Sequence, residues 1–302
     1  MGKKDLIERK LEDYSDVFAD IFNVLLFGRE KLLPEFLDDT STVSVYKDAV
    51  DELREQKRDV VKEYLDHTQL AIASFGIENQ TKYDPAMPVR VMGYDYGSYR
   101  TQLDKKKSMH PVITLVLNFS DDRWEKNKSL HQALNVSKEW ESYVQDYKIH
   151  VFDIAFLEDE VIEKFQSDFR QVARFFKDRR LGKDTFKENE TILKYAEEFL
   201  EFLYIFTKDQ VYKNSILKVR SATEKGEKIK MCWVAQSHLE EGRNEEAILT
   251  ARMMFRNGLS MEMVSACVQR LSPEKLQEIY REENPSPKKT DDAFAQGGMS
   301  ET

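Results

Sequence analysis

Apolar residues recur at three- and four-residue steps through Leu6, Leu11, Tyr14, Val17, Phe18, Ile21, Phe22 and Leu25. That period predicts a helix over 5–27 with one buried stripe, closed by Gly28. Residues 34–56 read as a connector and a polar helix. The period then falls to two: 58–64 and 69–80 read as strands joined by the polar turn Leu65-Asp66-His67-Thr68. Residues 86–103 return to a helical pattern, with Val89, Val91, Met92, Tyr96 and Tyr99 on the inner side, and the basic loop Lys105-Lys106-Lys107 follows. His110 to Phe119 is apolar on both faces, as a central strand covered by helices should be, and Tyr147 to Leu157 reads as a further strand.

From Asp159 onward the pattern is helical. One stripe runs through Val161, Phe165, Phe169, Val172, Phe175 and Phe176, and a second through Ile192, Tyr195, Phe199, Phe202, Leu203 and Phe206. Aromatic residues at this spacing are core. A basic segment over 214–231 precedes helices at Glu245–Phe255 and Met261–Leu271, broken at Asn257-Gly258. Beyond Glu283 the chain has no periodicity and reads as a linker or disordered tail. The expected organisation is an α/β core over 1–158, a mixed sheet flanked by helices, with a helical extension packed on it over 159–212. An all-helical C-terminal region follows, a basic segment and helical module over 213–283, and 284–302 is the tail.

Composition narrows the function. The 302 residues carry 46 Lys and Arg against 55 Asp and Glu, a net charge of −9, which excludes a polyanion binder coated in basic residues but leaves a local basic groove open. Cys232 and Cys267 are too few for a disulfide scaffold or a cysteine zinc cluster and read as reduced thiols of a cytoplasmic protein. The first residues lack the apolar stretch of a signal peptide, and no apolar run is long enough to span a membrane. The histidines are scattered, with no HExxH, and neither a Walker-type glycine loop nor G-x-S-x-G occurs.

The informative constellation is acidic. Asp59 opens the first of the paired strands, and Glu78 and Gln80 close the second. Strand periodicity sends Glu78 and Gln80 to one face, behind the small residues Ser74 and Gly76, which leaves that face open to a metal and a phosphate. Ala71, Ala73, Phe75 and Ile77 form the opposite, core face. If the two strands pair antiparallel, Asp59 comes beside Glu78. Two carboxylates are the hard oxygen ligands that Mg²⁺ prefers, and Gln80 would orient a water or contact a phosphate. The same residues also suit an ordinary half-solvated strand.

Asp59-Val60 followed by the strand-borne Glu78-Asn79-Gln80 resembles the PD-(D/E)XK nuclease superfamily, and most closely its recombination-promoting nuclease branch, the YhgA-like putative transposase family. Ser15-Asp16-Val17-Phe18, Met87-Pro88-Val89-Arg90-Val91-Met92-Gly93-Tyr94 and Pro111 to Leu117 match further segments, so the resemblance covers roughly residues 10–160. It implies a restriction-endonuclease-like core and Mg²⁺-dependent (or Mn²⁺-dependent) DNA cleavage linked to recombination or mobile elements. Asp59 and Glu78 would hold the metal, Gln80 would stand where the superfamily has Lys, and Asp16 would be an auxiliary acid. The sequence departs from the family's pattern in Asn118 to Trp124, which keeps the Trp but lacks a Gly. A homodimer cutting both strands follows from the same resemblance.

Arg90, Arg100, Lys105, Lys106 and Lys107 are the basic residues placed to contact DNA, with Arg123, Lys126 and Lys128 nearby. Ala251 to Glu262 resembles a C-terminal run of the family. Its second helix carries only Arg270 as a base, so a packing or partner-binding module fits better than DNA readout. The alternative to an enzyme is a catalytically inactive relative that binds DNA or protein.

Overall fold

The computed structural model describes residues 10–40, 43–47, 53–57, 59–105 and 108–284. The tail beyond Asn284 and the loop residues Lys106 and Lys107 lie outside the described residues. A single 3-10 turn at Leu11–Asp13 leads into α1 (Ser15–Phe22), whose apolar face (Val17, Phe18, Ile21, Phe22) is wholly buried. Strands β1 (Leu37–Asp39), β2 (Val43–Lys47), β3 (Leu53–Lys57), β4 (Val60–Leu65) and β5 (Ala71–Gln80) follow, then α2 (Met87–Asp104), β6 (Val112–Asn118), α3 (Leu130–Leu134) and β7 (His150–Asp153). The remainder is helical: α4 (Asp159–Ile162), α5 (Phe169–Leu181), α6 (Ala196–Thr207), α7 (Gln210–Glu224), α8 (Met231–Arg256), α9 (Met261–Cys267) and α10 (Pro273–Glu283).

The main sheet has the order β1-β4-β5-β6-β7. β4 pairs antiparallel with β1 and with β5, whereas β5, β6 and β7 are parallel. A parallel neighbour requires a crossover, and α2 supplies it between β5 and β6. β6 alternates between two cores: Leu115 and Leu117 join the main core with α1, α5 and α6, while Val116 packs with Met87, Val91, Trp124 and Ile149 beneath α2. That is why β6 reads as apolar on both faces. The mixed sheet flanked by helices, followed by a helical C-terminal region, is the expected α/β fold.

Among the described residues of 34–56 the expected polar helix is not found. Strands β1, β2 and β3 occupy this stretch, β2 and β3 as a separate antiparallel pair and β1 on the edge of the main sheet beside β4. The alternation Val43-Ser44-Val45-Tyr46 is a strand pattern, too short to stand out against its charged surroundings. The strand expected over 147–157 is shorter, because a 3-10 turn begins at Ile154. Much of the basic segment over 214–231 is the helix α7, and the expected helix at Glu245–Phe255 is the end of the longer α8.

The main core closes on Phe119, just past β6. Its ring meets Phe206 at 4.7 Å, Phe176 at 4.8 Å and Phe202 at 5.4 Å, so both predicted aromatic stripes converge there. Contacts divide the chain into two compact units, residues 1–235 and 236–302. The second has its own small core of Ala251, Phe255, Val264, Val268, Leu276 and Ile279, with Ser260 and Ser272 capping α9 and α10. No helix among the described residues is long and apolar enough to cross a membrane.

α1 continues into a wider turn over Asn23–Phe27 and ends at Gly28, with φ +64°. The chain then folds back, and the Asn23 side chain ties Lys31 and Leu32 through three bonds of 2.8 Å. A Cβ at Gly28 meets nothing within 4 Å, so only the left-handed backbone opposes a side chain there. Gly28→Ala is expected to cost about 1 kcal/mol. The chain's tryptophans, Trp124, Trp140 and Trp233, all lie in the first unit, so urea unfolding followed by tryptophan fluorescence checks it.

Candidate active site

β4 and β5 pair with Val60 opposite Ile77, so the antiparallel register carries Asp59 alongside Glu78 and Asn79. Asp59 sits at a bend before β4, outside the strand's strict alternation. Its Oδ2 accepts the backbone N–H of Asn79 at 2.8 Å. The Asn79 side chain reaches the other way along the same corner and donates from Nδ2 to Glu12 Oε2 at 2.6 Å. Asn79 thus bridges two acids from distant parts of the chain, one before β4 and one in the turn ahead of α1.

Glu12 is 1% exposed. Its Oε1 and the Asn79 Oδ1 are both buried without a hydrogen-bond partner. Burial pushes the Glu12 carboxyl up to about 8; the Asn79 hydrogen bond opposes this and the nearby Asp59 charge adds to it. Lys10 Nζ stands 3.4 Å from Asp59 Oδ1.

These groups line a cavity of about 890 Å³. Lys10, Glu12, Asp59, Asn79 and Gln80 line it together with Phe202, Ile205 and Phe206 of α6. The loop after β6 supplies Asp121, Asp122, Arg123 and Trp124, with Lys82, Arg179 and Lys208 at the rim. Tyr83 packs edge-on against Trp124, with ring centroids 5.1 Å apart. Arg123 lies over the Phe156 ring at 4.5 Å.

Strand alternation sends Glu78 elsewhere. It shares a face with Gln80, whose Nε2 donates to Glu78 Oε1 at 3.0 Å, but that face is not open. Ser74, Gly76 and Glu78 are all buried, and side chains of α2 cover Glu78. Glu78 Oε1 also accepts from Arg90 Nη2 at 2.5 Å and from the Tyr94 hydroxyl at 3.4 Å. Arg90 spans Glu78 and Asp84, with 2.8 Å to the latter. Its burial opposes the charge, yet hydrogen bonds to Asp84 and Tyr94 and the Glu78 carboxylate hold the guanidinium protonated above its ordinary range.

The structure therefore brings Asp59 and Gln80 to one cavity with Glu12 and Asn79, and keeps the Glu78 carboxylate one hydrogen bond behind, through Gln80. The expectation of an open face beside Glu78 is corrected, because α2 covers it. Asp16 does not line the cavity. It accepts from the Tyr195 hydroxyl at 2.9 Å and pairs with Lys194 at 2.7 Å; burial opposes its ionisation, but these partners hold it below the usual carboxylate range. Arg90, expected to meet DNA, holds Glu78 and Asp84 instead. Arg100 is exposed and pairs with Asp104 at 3.4 Å, and Lys105 is exposed at the end of α2. Neither lines the cavity. Lys10, Glu12 and Asn79 were not singled out from sequence. The only available sign was Glu12's place next to Leu11, a member of the buried stripe.

The donor set, two carboxylates and an amide oxygen, two of these oxygens unpartnered, suits a hard divalent cation such as Mg²⁺. Among the described residues, no three His, Cys, Asp or Glu side chains already converge as a metal cage.

The comparison with family models settles the lineage. Residues 37–202, more than half of the chain, match the model described as "Putative transposase, YhgA-like". The chain belongs to the YhgA-like transposase family. The match takes in Asp59, Glu78, Gln80 and the whole main sheet, and it continues through α5 and most of α6. Of the α6 residues that line the cavity, Phe202 lies within the match and Ile205 and Phe206 beyond it, while Lys10 and Glu12 lie ahead of it. No curated protein and no solved structure matches the chain. Membership places this chain among transposase-like proteins, the class that processes nucleic acid in mobile elements.

Proposed function

We propose that this YhgA-like protein is a Mg²⁺-dependent DNA endonuclease that hydrolyses phosphodiester bonds during recombination or mobile-element movement. The observation that carries the reading is the pairing of Asp59 with the buried Glu12 across Asn79, lining a cavity that also takes in Gln80. Asp59 and Glu12 would hold Mg²⁺, or Mn²⁺, from the cavity side, with Glu78 as the third acid reached through Gln80. The bound metal would lower the pKa of a water and offset charge on the phosphodiester. The protein's own groups do the rest. Asn79 fixes both acids, the Gln80 amide orients the water or a phosphate oxygen, and the apolar wall of Phe202, Ile205 and Phe206 limits solvent around them.

Lys82, Arg123 and Lys208 would contact the DNA backbone along the cavity rim. A homodimer would place two such sites to cut both strands. Purified protein incubated with supercoiled plasmid should yield nicked and linear forms in Mg²⁺ or Mn²⁺ and none in EDTA. Intact plasmid under every metal condition rejects the reading. The ion pair that ties the buried Glu78 to Arg90 favours the second reading, a non-catalytic relative that binds DNA, which predicts that last outcome together with retained DNA binding.

A further inference from the structure

Hydrolysis of a phosphodiester loads negative charge onto the non-bridging oxygens as a water oxygen bonds to phosphorus. The bond from phosphorus to the leaving sugar oxygen breaks at the same time. The water proton passes to a cavity carboxylate, and the leaving oxygen takes up a proton from solvent. A site that performs this step needs fixed positive charge at the phosphate. Gln80 is neutral, and Arg90, on α2, is tied to Glu78 and Asp84. Lys82, Arg123, Arg179 and Lys208 also line the cavity, and Arg179 is paired with Asp121 at 3.0 Å.

Lys10, from the segment ahead of α1, is the cation paired with Asp59. We propose that Lys10 is a catalytic residue, and that its ammonium contacts the scissile phosphate and stabilises the charge that develops there. This rests on the nuclease reading above. Its Nζ is 3.4 Å from Asp59 Oδ1, and the two side chains are 42% and 33% exposed. A long, half-exposed pair of this kind is weakly held, so the ammonium can leave its partner. A divalent ion on Asp59 would repel it, and a phosphate in the cavity would attract it. The backbone N–H of Lys10 is anchored by Asp13 Oδ2 at 2.8 Å, which keeps the root of the side chain beside the site while its tip moves.

The test compares the full-length parent with Lys10→Met, Lys10→Arg and the double variant Lys10→Met/Gln80→Lys. It uses plasmid cleavage in Mg²⁺ and calorimetric titration of the DNA-free protein with Mn²⁺. Lys10→Met should cut kcat at least 30-fold with KM within about threefold, as befits a group that acts on the transition state. Lys10→Arg should recover part of that loss, and so should a lysine delivered from position 80. Mn²⁺ affinity of Lys10→Met should stay equal or rise, because the ammonium competes for Asp59. Parental kcat in Lys10→Met, or a loss that neither Lys10→Arg nor the double variant repairs, overturns the role of Lys10 and leaves the nuclease reading standing. A parent that cleaves nothing removes both.

Discussion

Asp59→Asn should leave the protein folded and lower plasmid cleavage in Mg²⁺ by on the order of 10³, a loss of about 4 kcal/mol in transition-state stabilisation. The substitution is close to isosteric, and its Oδ1 can still accept the Asn79 N–H that Asp59 receives at 2.8 Å. What disappears is the charge. The ion pair with Lys10 goes with it, but at 3.4 Å and half-exposed that pair contributes no more than about 1 kcal/mol to stability. The effect should therefore divide cleanly, with far-UV circular dichroism and urea midpoint close to the parent's and activity nearly gone. Glu78→Gln makes a useful contrast. Its carboxylate is buried against Arg90 and Tyr94, so its loss should lower stability as well as activity. Cleavage by Asp59→Asn within tenfold of the parent would show that the chemistry, if present, does not use this corner.

How much of this was readable from the chain depends on the kind of signal involved. β4, β5 and β6 were legible because each is long enough for a period of two, and for β6 a run apolar on both faces, to stand out. The antiparallel pairing that sets Asp59 beside Glu78 and Asn79 followed from them. The aromatic stripes of α5 and α6 were legible for the same reason at a period of 3.6, and both pack around Phe119. β1 was not, since Leu37-Asp38-Asp39 shows no alternation and is strand only because β4 offers it an edge.

In the site, Asp59 and Gln80 line one cavity. Strand periodicity gives the face that Glu78 shares with Gln80, but not what covers it. Small residues on a strand mean close approach, and whether a ligand or a helix makes that approach is decided by α2, a tertiary fact. Glu12 was invisible for a similar reason. Nothing local separates a buried glutamate from the half-buried acids Asp13 and Asp16 around it. Its burial is created by packing against a strand end that follows it by more than sixty residues.

That burial makes Glu12 the most consequential titratable group in the first unit. With its pKa pushed up to about 8 from an ordinary 4.5, the folded protein keeps a proton on Glu12 that the unfolded chain has already released. Between those two values the native state binds more protons than the unfolded state, so stability falls as pH rises. The slope is about 1.4 kcal/mol per pH unit, and the fall is complete above the folded pKa. Glu12→Gln keeps the shape and the acceptor for Asn79 Nδ2 but has no proton to lose. Parent and variant should match within about 1 kcal/mol at pH 4.5, and the variant should become the more stable as pH rises. By pH 9 its advantage should be on the order of 4 kcal/mol. Urea unfolding at pH 4.5, 7 and 9, followed by tryptophan fluorescence, reads this directly, because every tryptophan lies in the first unit. The variant should also bind Mn²⁺ more weakly, since the carboxylate that a divalent ion would recruit is gone. A parallel pH dependence in parent and variant would mean that Glu12 is ionised in the folded protein and that its corner is more hydrated than its 1% exposure implies.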